Sequence, residues 1–218
     1  MTTGARPTGD CDQPILEAVV LAAGAGRRFG GGKLTARFAG GVLLDGALVA
    51  AFAAPVRTVT LVTGADAAAV EAAARAFAAG AGQPERLRIV HAADHAEGMA
   101  ASLRAGIASL PLDAEGVFVF LGDMPRIPHE VLAPLALRIA QGHVAAAPVF
   151  EGRRGHPAIF ARPLFPDLVA LSGDQGARKV LDRVGPARVD APDDGVLFDV
   201  DEFADLERNS PGPPRSRG

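Results

Sequence analysis

The stretch Glu17–Lys33, with the sequence EAVVLAAGAGRRFGGGK, joins an apolar run to a glycine-rich loop. Glu17–Ala23 is a short, continuous segment of the kind that forms a buried strand. Five of the next ten residues, Gly24–Lys33, are glycine, which disfavours a helix or strand there. A buried strand that ends in such a loop is typical of an α/β protein, whose ligands bind beyond the carboxyl ends of parallel strands.

Outward from this stretch, strand and helix patterns alternate along the chain. Strands are predicted at Thr58–Thr63, Arg88–His91, Val117–Leu121, Val144–Pro148, Ala158–Phe160, near Arg188 and at Leu197–Val200. Helices are predicted at Asp45–Ala54, from Asp66 onward, through Met99–Ile107, and at His129–Gln141, Leu164–Leu171 and Gln175–Val184. Short apolar strands separated by helices predict a mostly parallel sheet covered on both faces. We therefore expect functional loops to begin at Gly24, Thr63 and Gly122 and after Phe198.

Composition narrows the organisation of the chain and its class. Residues 1–14 and 209–218 are rich in Pro, Gly, Ser and Arg and are predicted to be disordered tails, which leaves residues 15–208 as one domain. A formal net charge of −3 and the absence of Trp and Tyr argue against nucleic-acid binding. No apolar run approaches the roughly 20 residues of a membrane span. We expect a cytoplasmic protein with neither a nucleic-acid nor a membrane partner.

The glycine loop has the composition of a phosphate-binding site. It carries Arg27, Arg28 and Lys33, and Lys33 is one of only two lysines among 22 basic residues. Backbone N–H groups beside three cations favour a triphosphate, and lysine supplies a compact ammonium group. A Walker A loop does not fit, because Arg27 stands where that motif has glycine and Leu34 follows the lysine.

Two other interpretations of the loop stay open. Gly24-x-Gly26-x-x-x-Gly30, with Asp45 about 20 residues further on, is close to the dinucleotide-binding fingerprint. The triple glycine at 30–32 disfavours the helix that this fingerprint needs. The other interpretation is a flexible surface loop without a ligand.

Asp123 is the first candidate for a metal ligand. It follows VFVFLG, the most apolar strand pattern of the chain, and is predicted at the carboxyl edge of the sheet. Mg²⁺ prefers one or two carboxylates and completes its coordination with substrate phosphates. The alternative for Asp123 is a turn-capping role before Pro125. Two further aspartates, Asp199 and Asp201, lie near the end of the chain, and for them the alternative to metal binding is capping of a last helix.

Five motifs, in family order, resemble those of the MobA-like nucleotidyltransferases. Leu21–Lys33 is similar to the signature LAAGxGxRxGxxK. It is followed by Gly98-Met-Ala-Ala-Ser-Leu-Arg-Ala-Gly106, Leu121-Gly-Asp-Met-Pro125, Arg154-Gly-His-Pro157 and Gly173-Asp-Gln-Gly-Ala-Arg178. The last two motifs, and LAAG where guanylyltransferases tend to have LAGG, resemble the molybdenum cofactor cytidylyltransferase branch. The resemblance spans about residues 17–207.

This resemblance implies a single-domain, Rossmann-like, three-layer α/β fold with a mostly parallel, partly mixed central sheet. It implies transfer of a nucleoside monophosphate from an NTP, with CTP the expected donor, to the phosphate of molybdopterin, releasing pyrophosphate. The implied cofactor is Mg²⁺, for which Mn²⁺ can substitute. The implied macromolecular partner is a molybdoenzyme or its chaperone, contacted transiently.

The resemblance also implies roles for individual residues. Arg28, Lys33 and Asp123 would be catalytic, with the two cations neutralising the triphosphate. The metal would bind Asp123 and Asp201, with Asp199 the alternative to Asp201. The nucleotide would contact Arg28 and Lys33 and a set of mostly small residues, namely Leu21, Ala22, Ala23, Gly24, Gly26, Thr63, Gly98, Ser102 and Gly122.

The acceptor would be held by Arg154, His156, Asp174 and Arg178. A solvated histidine in a hairpin is the alternative for His156, and a surface ion-pair network is the alternative for the others.

Two stretches depart from the family pattern. Ala92–His95 stands where the family usually carries Asn-Pro-x-Trp. Residues 199–205 keep two aspartates of the C-terminal Asp-x-Asp-Thr-Pro-Glu-Asp motif but not its Thr-Pro. GTP or ATP as donor, or a different phosphorylated acceptor, is the alternative within the class. An NAD(P)-binding oxidoreductase and a non-catalytic nucleotide-binding module are the alternatives from other classes.

Overall fold

The apolar runs of the sequence form a central sheet with helices on both sides. The structure is a computed structural model and describes residues 13–24, 26, 29–173 and 176–201. Its strands are β1 (Leu16–Ala22), β2 (Arg37–Phe38), β3 (Gly41–Val42), β4 (Val59–Thr63), β5 (Leu87–His91), β6 (Gly116–Leu121), β7 (Ala145–Phe150), β8 (Arg153–Arg154), β9 (Ala158–Ala161) and β10 (Ala187–Asp190). Its α-helices are α1 (Leu43–Ala53), α2 (Ala67–Gly80), α3 (Met99–Ala108), α4 (Leu132–Ala140), α5 (Phe165–Val169) and α6 (Arg178–Val184).

The main sheet is mostly parallel, as the sequence predicts. Its strand order is β10-β7-β9-β6-β1-β4-β5, and β8 pairs with β7. Strand β1 lies between β4 and β6 and is parallel to both, and β5 and β10 also join in parallel. Strand β9 is antiparallel to β6 and β7, which makes the sheet mixed. The predicted single-domain α/β fold with a mostly parallel, partly mixed sheet is confirmed.

Successive residues of β1 point to opposite faces of the sheet, and this alternation builds two cores. Ala18 and Val20 pack with α1, α2 and α4 on one face, and Val19 packs with α3, α5 and α6 on the other. Helices therefore cover both faces, which is the predicted three-layer arrangement. In the described part of the chain, no helix is long and apolar enough to cross a membrane.

An ion-pair cluster joins the amino ends of three parallel strands, on the side of the sheet away from the glycine loop. Glu17 in β1 is fully buried and accepts hydrogen bonds from Arg57 Nε at 2.7 Å and from the backbone N–H of Thr58 at 3.0 Å. Arg57 also donates to both carboxylate oxygens of Asp113, each at 2.8 Å. This cluster satisfies the one buried charge in β1.

The predicted strand at Leu197–Val200 is wrong. Residues Asp194–Leu197 form a 3-10 turn, because the Asp193 carboxylate caps it by accepting from the backbone N–H of Gly195 at 2.8 Å. The chain then returns to β6, where the N–H of Val200 donates to the carbonyl of Asp123 at 3.1 Å. Local turn chemistry thus outweighs the apolar pattern of this stretch.

Smaller differences concern helix ends and the tails. The predicted helix at His129–Gln141 begins as a 3-10 turn before α4, and α6 begins at Arg178. Gln175, the predicted start of that helix, lies outside the described residues. Most of the predicted tails, residues 1–12 and 209–218, also lie outside them, so their disorder stays a prediction.

Candidate active site

The carboxyl ends of the central strands open into a cleft of about 630 Å³. Its lining includes seven of the predicted nucleotide-contacting residues from two separate motifs, together with the predicted lysine and three aspartates. They are Leu21, Ala22, Ala23, Gly24, Gly26, Gly98, Ser102, Lys33, Asp123, Asp199 and Asp201. Residues up to 180 positions apart in the sequence therefore share one surface, since parallel strands end at the same edge of the sheet.

The glycine loop is held in a conformation that places Lys33 in the cleft. Gly30, Gly31 and Gly32 all have positive φ angles, from 64° to 95°, which L-residues with side chains rarely adopt. The N–H of Gly32 donates to Asp66 Oδ2 at 3.1 Å, and this bond fixes the end of the loop. Lys33 then begins a short 3-10 turn, with its side chain largely buried.

Lys33 stands between two of the carboxylates. Its Nζ lies 2.8 Å from Asp123 Oδ2 and 3.7 Å from Asp201 Oδ1. Burial raises the pKa of Asp199, and the nearby charges of Asp201 and Asp123 raise that pKa further. The three carboxylates therefore repel one another, and Lys33 offsets only part of their charge.

The arrangement fits a divalent cation whose coordination shell is completed by oxygen atoms of a substrate. Among the described residues, no group of three His, Cys, Asp or Glu side chains is placed to hold a metal ion alone. Asp123 and Asp201 nevertheless approach one common cation, Lys33 Nζ. Two carboxylates with the rest of the coordination left to phosphates and water is the donor set that Mg²⁺ prefers.

A close backbone approach brings Asp199 and Asp201 to the cleft. The N–H of His156 donates to the carbonyl of Val196 at 2.8 Å, which ties the Asp194–Leu197 turn to the segment between β8 and β9. A Cβ atom at Gly155 would lie 2.2 Å from that same carbonyl oxygen. Glycine is therefore required at position 155. The motif Arg154-Gly-His-Pro157 thus positions the segment that carries Asp199 and Asp201, in addition to presenting its own side chains.

Three of the predicted acceptor residues, Arg154, His156 and Arg178, are not among the residues that line the cleft. Arg154 donates to Asp182 Oδ1 at 2.5 Å, and Arg178 Nε lies 3.9 Å from Asp182 Oδ2, so both arginines converge on one carboxylate. His156 Nδ1 is buried and has no hydrogen-bond partner among the described residues, which contradicts the alternative of a solvated hairpin histidine. Burial lowers the pKa of His156, and the charge of Asp123 opposes this shift.

Two predicted nucleotide-contacting residues of the described part of the chain do not line the cleft. Thr63 and Gly122 are buried behind it: Thr63 Oγ1 lies 3.3 Å from Glu71 Oε1, and the N–H of Gly122 donates to the carbonyl of Leu21 at 2.9 Å. Neither residue lines the cleft, and their contact with the nucleotide stays a prediction. Arg28 and Asp174 lie outside the described residues.

Three residues near the cleft have positions or contacts that the sequence patterns do not predict. His95 lines the cleft from the 3-10 turn His95–Glu97. Met99 has the spacing of a core residue, but 43% of its surface is exposed, and it also lines the cleft. Asp66, expected only as a helix cap, makes no capping bond and binds the glycine loop instead.

A three-layer α/β domain whose central strand ends gather a glycine loop, a lysine and paired carboxylates is suited to binding a nucleotide together with a divalent metal. Residues 18–189 match the family model described as the MobA-like NTP transferase domain. The chain belongs to that family.

Two curated relatives and one solved protein are similar along nearly the whole chain. "Nicotine blue oxidoreductase" from Paenarthrobacter nicotinovorans is 32% identical over 211 residues, which cover 92% of this chain and 98% of the relative. "Purine catabolism protein PucB" from Bacillus subtilis is 28% identical over 192 residues, which cover 86% of this chain and 92% of the relative.

The crystal structure of Rv0371c from Mycobacterium tuberculosis has a TM-score of 0.75 at 27% identity, covering 90% of this chain and 97% of that one. A second structure of Rv0371c is a complex with manganese.

Proposed function

We propose that this protein transfers CMP from CTP to the phosphate of molybdopterin and releases pyrophosphate, with Mg²⁺ as cofactor. The observation that carries this proposal is the convergence of Lys33, Asp123 and Asp201 at one end of a cleft whose other lining is the LAAG segment and the start of α3. Small residues and backbone groups at Leu21–Gly24 leave room for a base, and Lys33 stands where a triphosphate would follow it.

The chemistry needs little from the protein beyond alignment and charge. An oxygen of the acceptor phosphate attacks the α-phosphorus of CTP and forms a new P–O bond, while the bond from the α-phosphorus to the bridging oxygen breaks and pyrophosphate leaves with its electron pair. The attacking oxygen is already anionic near neutral pH, so the step requires no general base. Catalysis then rests on in-line positioning and on positive charge near the phosphates.

Lys33 is the described residue best placed to supply that charge. Its ammonium group pairs with Asp123 in this structure and would turn toward phosphate oxygens when a nucleotide enters. Asp123 and Asp201, with Asp199 as the alternative second carboxylate, would hold the metal. Bound Mg²⁺ would add positive charge at the phosphate oxygens and orient them.

The acceptor is proposed to bind on the side of Asp123 that faces β8. Arg154 and Arg178 already meet at Asp182, and a phosphate of the acceptor would compete with that carboxylate for the two guanidinium groups. His156, with its buried Nδ1, would face the pterin portion. GTP or ATP as the donor, or another phosphorylated acceptor, is the alternative within the same chemistry.

A second candidate is an NAD(P)-dependent oxidoreductase, favoured by the glycine pattern and by the name of the 32% identical relative. Two observations oppose it. The acidic residue of the dinucleotide fingerprint should reach a ribose, but Asp45 Oδ2 accepts from the N–H of Val42 at 2.9 Å and so caps α1. Three carboxylates around the cleft would also repel a pyrophosphate unless a metal neutralised them.

Two measurements test the proposal. Pyrophosphate release is followed for CTP, GTP, ATP and UTP with molybdopterin and Mg²⁺, and we expect release that depends on molybdopterin and is greatest with CTP. Thermal shifts with CTP, GTP and NADPH, with and without Mg²⁺, should show Mg²⁺-dependent stabilisation by CTP. Stabilisation by NADPH alone, without pyrophosphate release from any NTP, would support the oxidoreductase instead. Release that is greatest with GTP would overturn the choice of CTP and keep the transferase chemistry.

A further inference from the structure

His95 occupies an unusual place in the cleft. It begins the 3-10 turn between β5 and α3, its side chain is half-buried, and it lines the cleft beside Gly98. It is also the residue of Ala92–His95 that stands where the family pattern has tryptophan. An indole ring carries one N–H donor and no acceptor, whereas an imidazole carries an acceptor as well.

The surroundings of His95 fix which ring nitrogen is the acceptor. Its Nδ1 lies 3.0 Å from the carbonyl oxygen of Ala92. A carbonyl oxygen only accepts hydrogen bonds, so Nδ1 must carry the proton. In the neutral ring Nε2 is then the acceptor, and no atom of the described residues donates a hydrogen bond to it. The backbone at Ala92 therefore selects one tautomer and holds the ring in place.

The part of the cleft around His95 is suited to the base rather than to the phosphates. Gly98, Met99 and Ser102 lie beside it at the start of α3, and the exposed thioether of Met99 offers an apolar surface for the face of a ring. Lys33 and the aspartates mark the phosphate end of the same cleft. A fixed acceptor at the base end can discriminate between bases by the groups on their edges.

We propose that Nε2 of His95 selects nucleotides whose base carries an exocyclic amine, and so favours cytosine over uracil. This inference rests on the proposed nucleotidyltransferase function and adds a side-chain contact to it. The amine at C4 of cytosine donates to Nε2, whereas the carbonyl at C4 of uracil sets two acceptors against each other. Leaving such an acceptor unpaired is what allows a site to reject a close analogue.

The pair CTP and UTP tests this inference with two variants of His95. His95→Asn keeps a donor for the Ala92 carbonyl, because its amide nitrogen corresponds to Nδ1, but it has no atom at the position of Nε2. His95→Gln is one methylene longer and brings an amide oxygen to the position of Nε2. We expect the ratio of kcat/KM for CTP to that for UTP to be about tenfold or more in the wild type, to fall about tenfold in His95→Asn, and to stay within about threefold in His95→Gln. Dissociation constants of the two nucleotides with Mg²⁺, from calorimetry, should change in the same ratio.

The ratio separates recognition of the base from a structural effect, since loss of cleft shape would weaken both nucleotides equally. His143→Asn, an exposed histidine in the turn before β7, is the matched control and should leave the ratio unchanged. A wild type that uses CTP and UTP equally, or a His95→Asn variant that keeps the wild-type ratio, overturns this inference alone. A protein that binds no NTP in the presence of Mg²⁺ overturns the proposed function and this inference together.

Discussion

The ammonium group of Lys33 lies 2.8 Å from Oδ2 of Asp123, so the cation of the glycine loop is paired with the carboxylate that ends β6. In the protein without substrate, Lys33 takes the place between the carboxylates that a metal and the phosphates would share. In the proposed function, nucleotide binding would exchange one set of charges for another, and we expect the residues of this pair to affect turnover more than stability.

Lys33→Ala should lower kcat/KM by about 100-fold or more, the scale of one charge stabiliser lost from a closed site. Steady-state pyrophosphate release with CTP measures the effect. Arg75→Ala, which removes an exposed cation on α2, is the control and should change kcat/KM less than twofold. A Lys33→Ala variant with wild-type kinetics would reduce the glycine loop to a structural turn.

Asp201→Asn should abolish most turnover while leaving the melting temperature of the nucleotide-free protein equal or higher. Asp201 is more than half exposed and lies 3.7 Å from Lys33, so it contributes little attraction, and its charge repels Asp199 and Asp123. Pyrophosphate release with CTP measures the turnover, and calorimetric melting with and without Mg²⁺-CTP measures stability and nucleotide binding. Asp199→Asn is the comparison variant: if it loses turnover and Asp201→Asn does not, the second metal carboxylate is Asp199.

Gly155→Ala should destabilise the protein by about 2 kcal/mol, because the new Cβ would lie 2.2 Å from the carbonyl oxygen of Val196 and force the two segments apart. It should also reduce activity beyond the loss of folded protein, since the displaced segment carries Asp199 and Asp201. Urea unfolding and specific activity measure the two effects. Gly80→Ala, at a helix end with no atom near its added Cβ, should be neutral or stabilising.

Arg57→Met should lower the free energy of unfolding by about 2 kcal/mol, since it leaves the buried carboxylate of Glu17 without its ion pair. The loss is at the low end for a buried pair because Thr58 still donates to Glu17 through its backbone N–H and its hydroxyl. Urea unfolding should show recovery in the double variant Glu17→Gln/Arg57→Met. A double variant no more stable than Arg57→Met would contradict this account.

Asp113 should contribute to acid unfolding. Its hydrogen bonds to Arg57 lower the pKa of its carboxyl from the usual 3.8 to about 2 in the folded protein. A group whose pKa is lower in the folded than in the unfolded state stabilises the fold above its unfolded pKa, and that contribution disappears as the pH falls toward the folded pKa. Asp113→Asn should therefore show a shallower loss of stability between about pH 4 and pH 2 in urea titrations. An unchanged pH dependence would mean that the pair with Arg57 does not persist in solution.

The parallel core of the fold was accessible from the sequence because its strands are continuous apolar runs separated by helices. Val117–Leu121 and Glu17–Ala23 need no partner to be recognised as buried strands. The stretch Leu197–Val200 has a similar composition but was mispredicted, since the Asp193 cap turns the chain and directs it to Asp123 instead of adding a strand.

The sequence predicts those residues of the cleft that belong to a glycine pattern or are carboxylates following a strand. It does not predict residues whose exposure depends on their position along a helix. Met99 has the spacing of a core residue with Leu103, but as the first residue of α3 it projects past the sheet edge into the cleft. His95 belongs to no sequence pattern, because its proposed role depends on the contact of its Nδ1 with the Ala92 carbonyl. Asp66 looked like a helix cap, and only the path of the glycine loop shows which N–H it meets.

Each part of the cleft lining follows a different strand: Lys33 comes after β1, His95 after β5, Asp123 after β6, and Asp199 and Asp201 after β10. A mutation in one connection changes its own part of the lining most directly, although the Gly32–Asp66 and His156–Val196 hydrogen bonds link some of the connections. Natural selection can thus revise the preferred base, the acceptor or the reaction one loop at a time. Such a scaffold is suited to divergence, and relatives named for nicotine blue and for purine catabolism share its sequence along nearly their whole length.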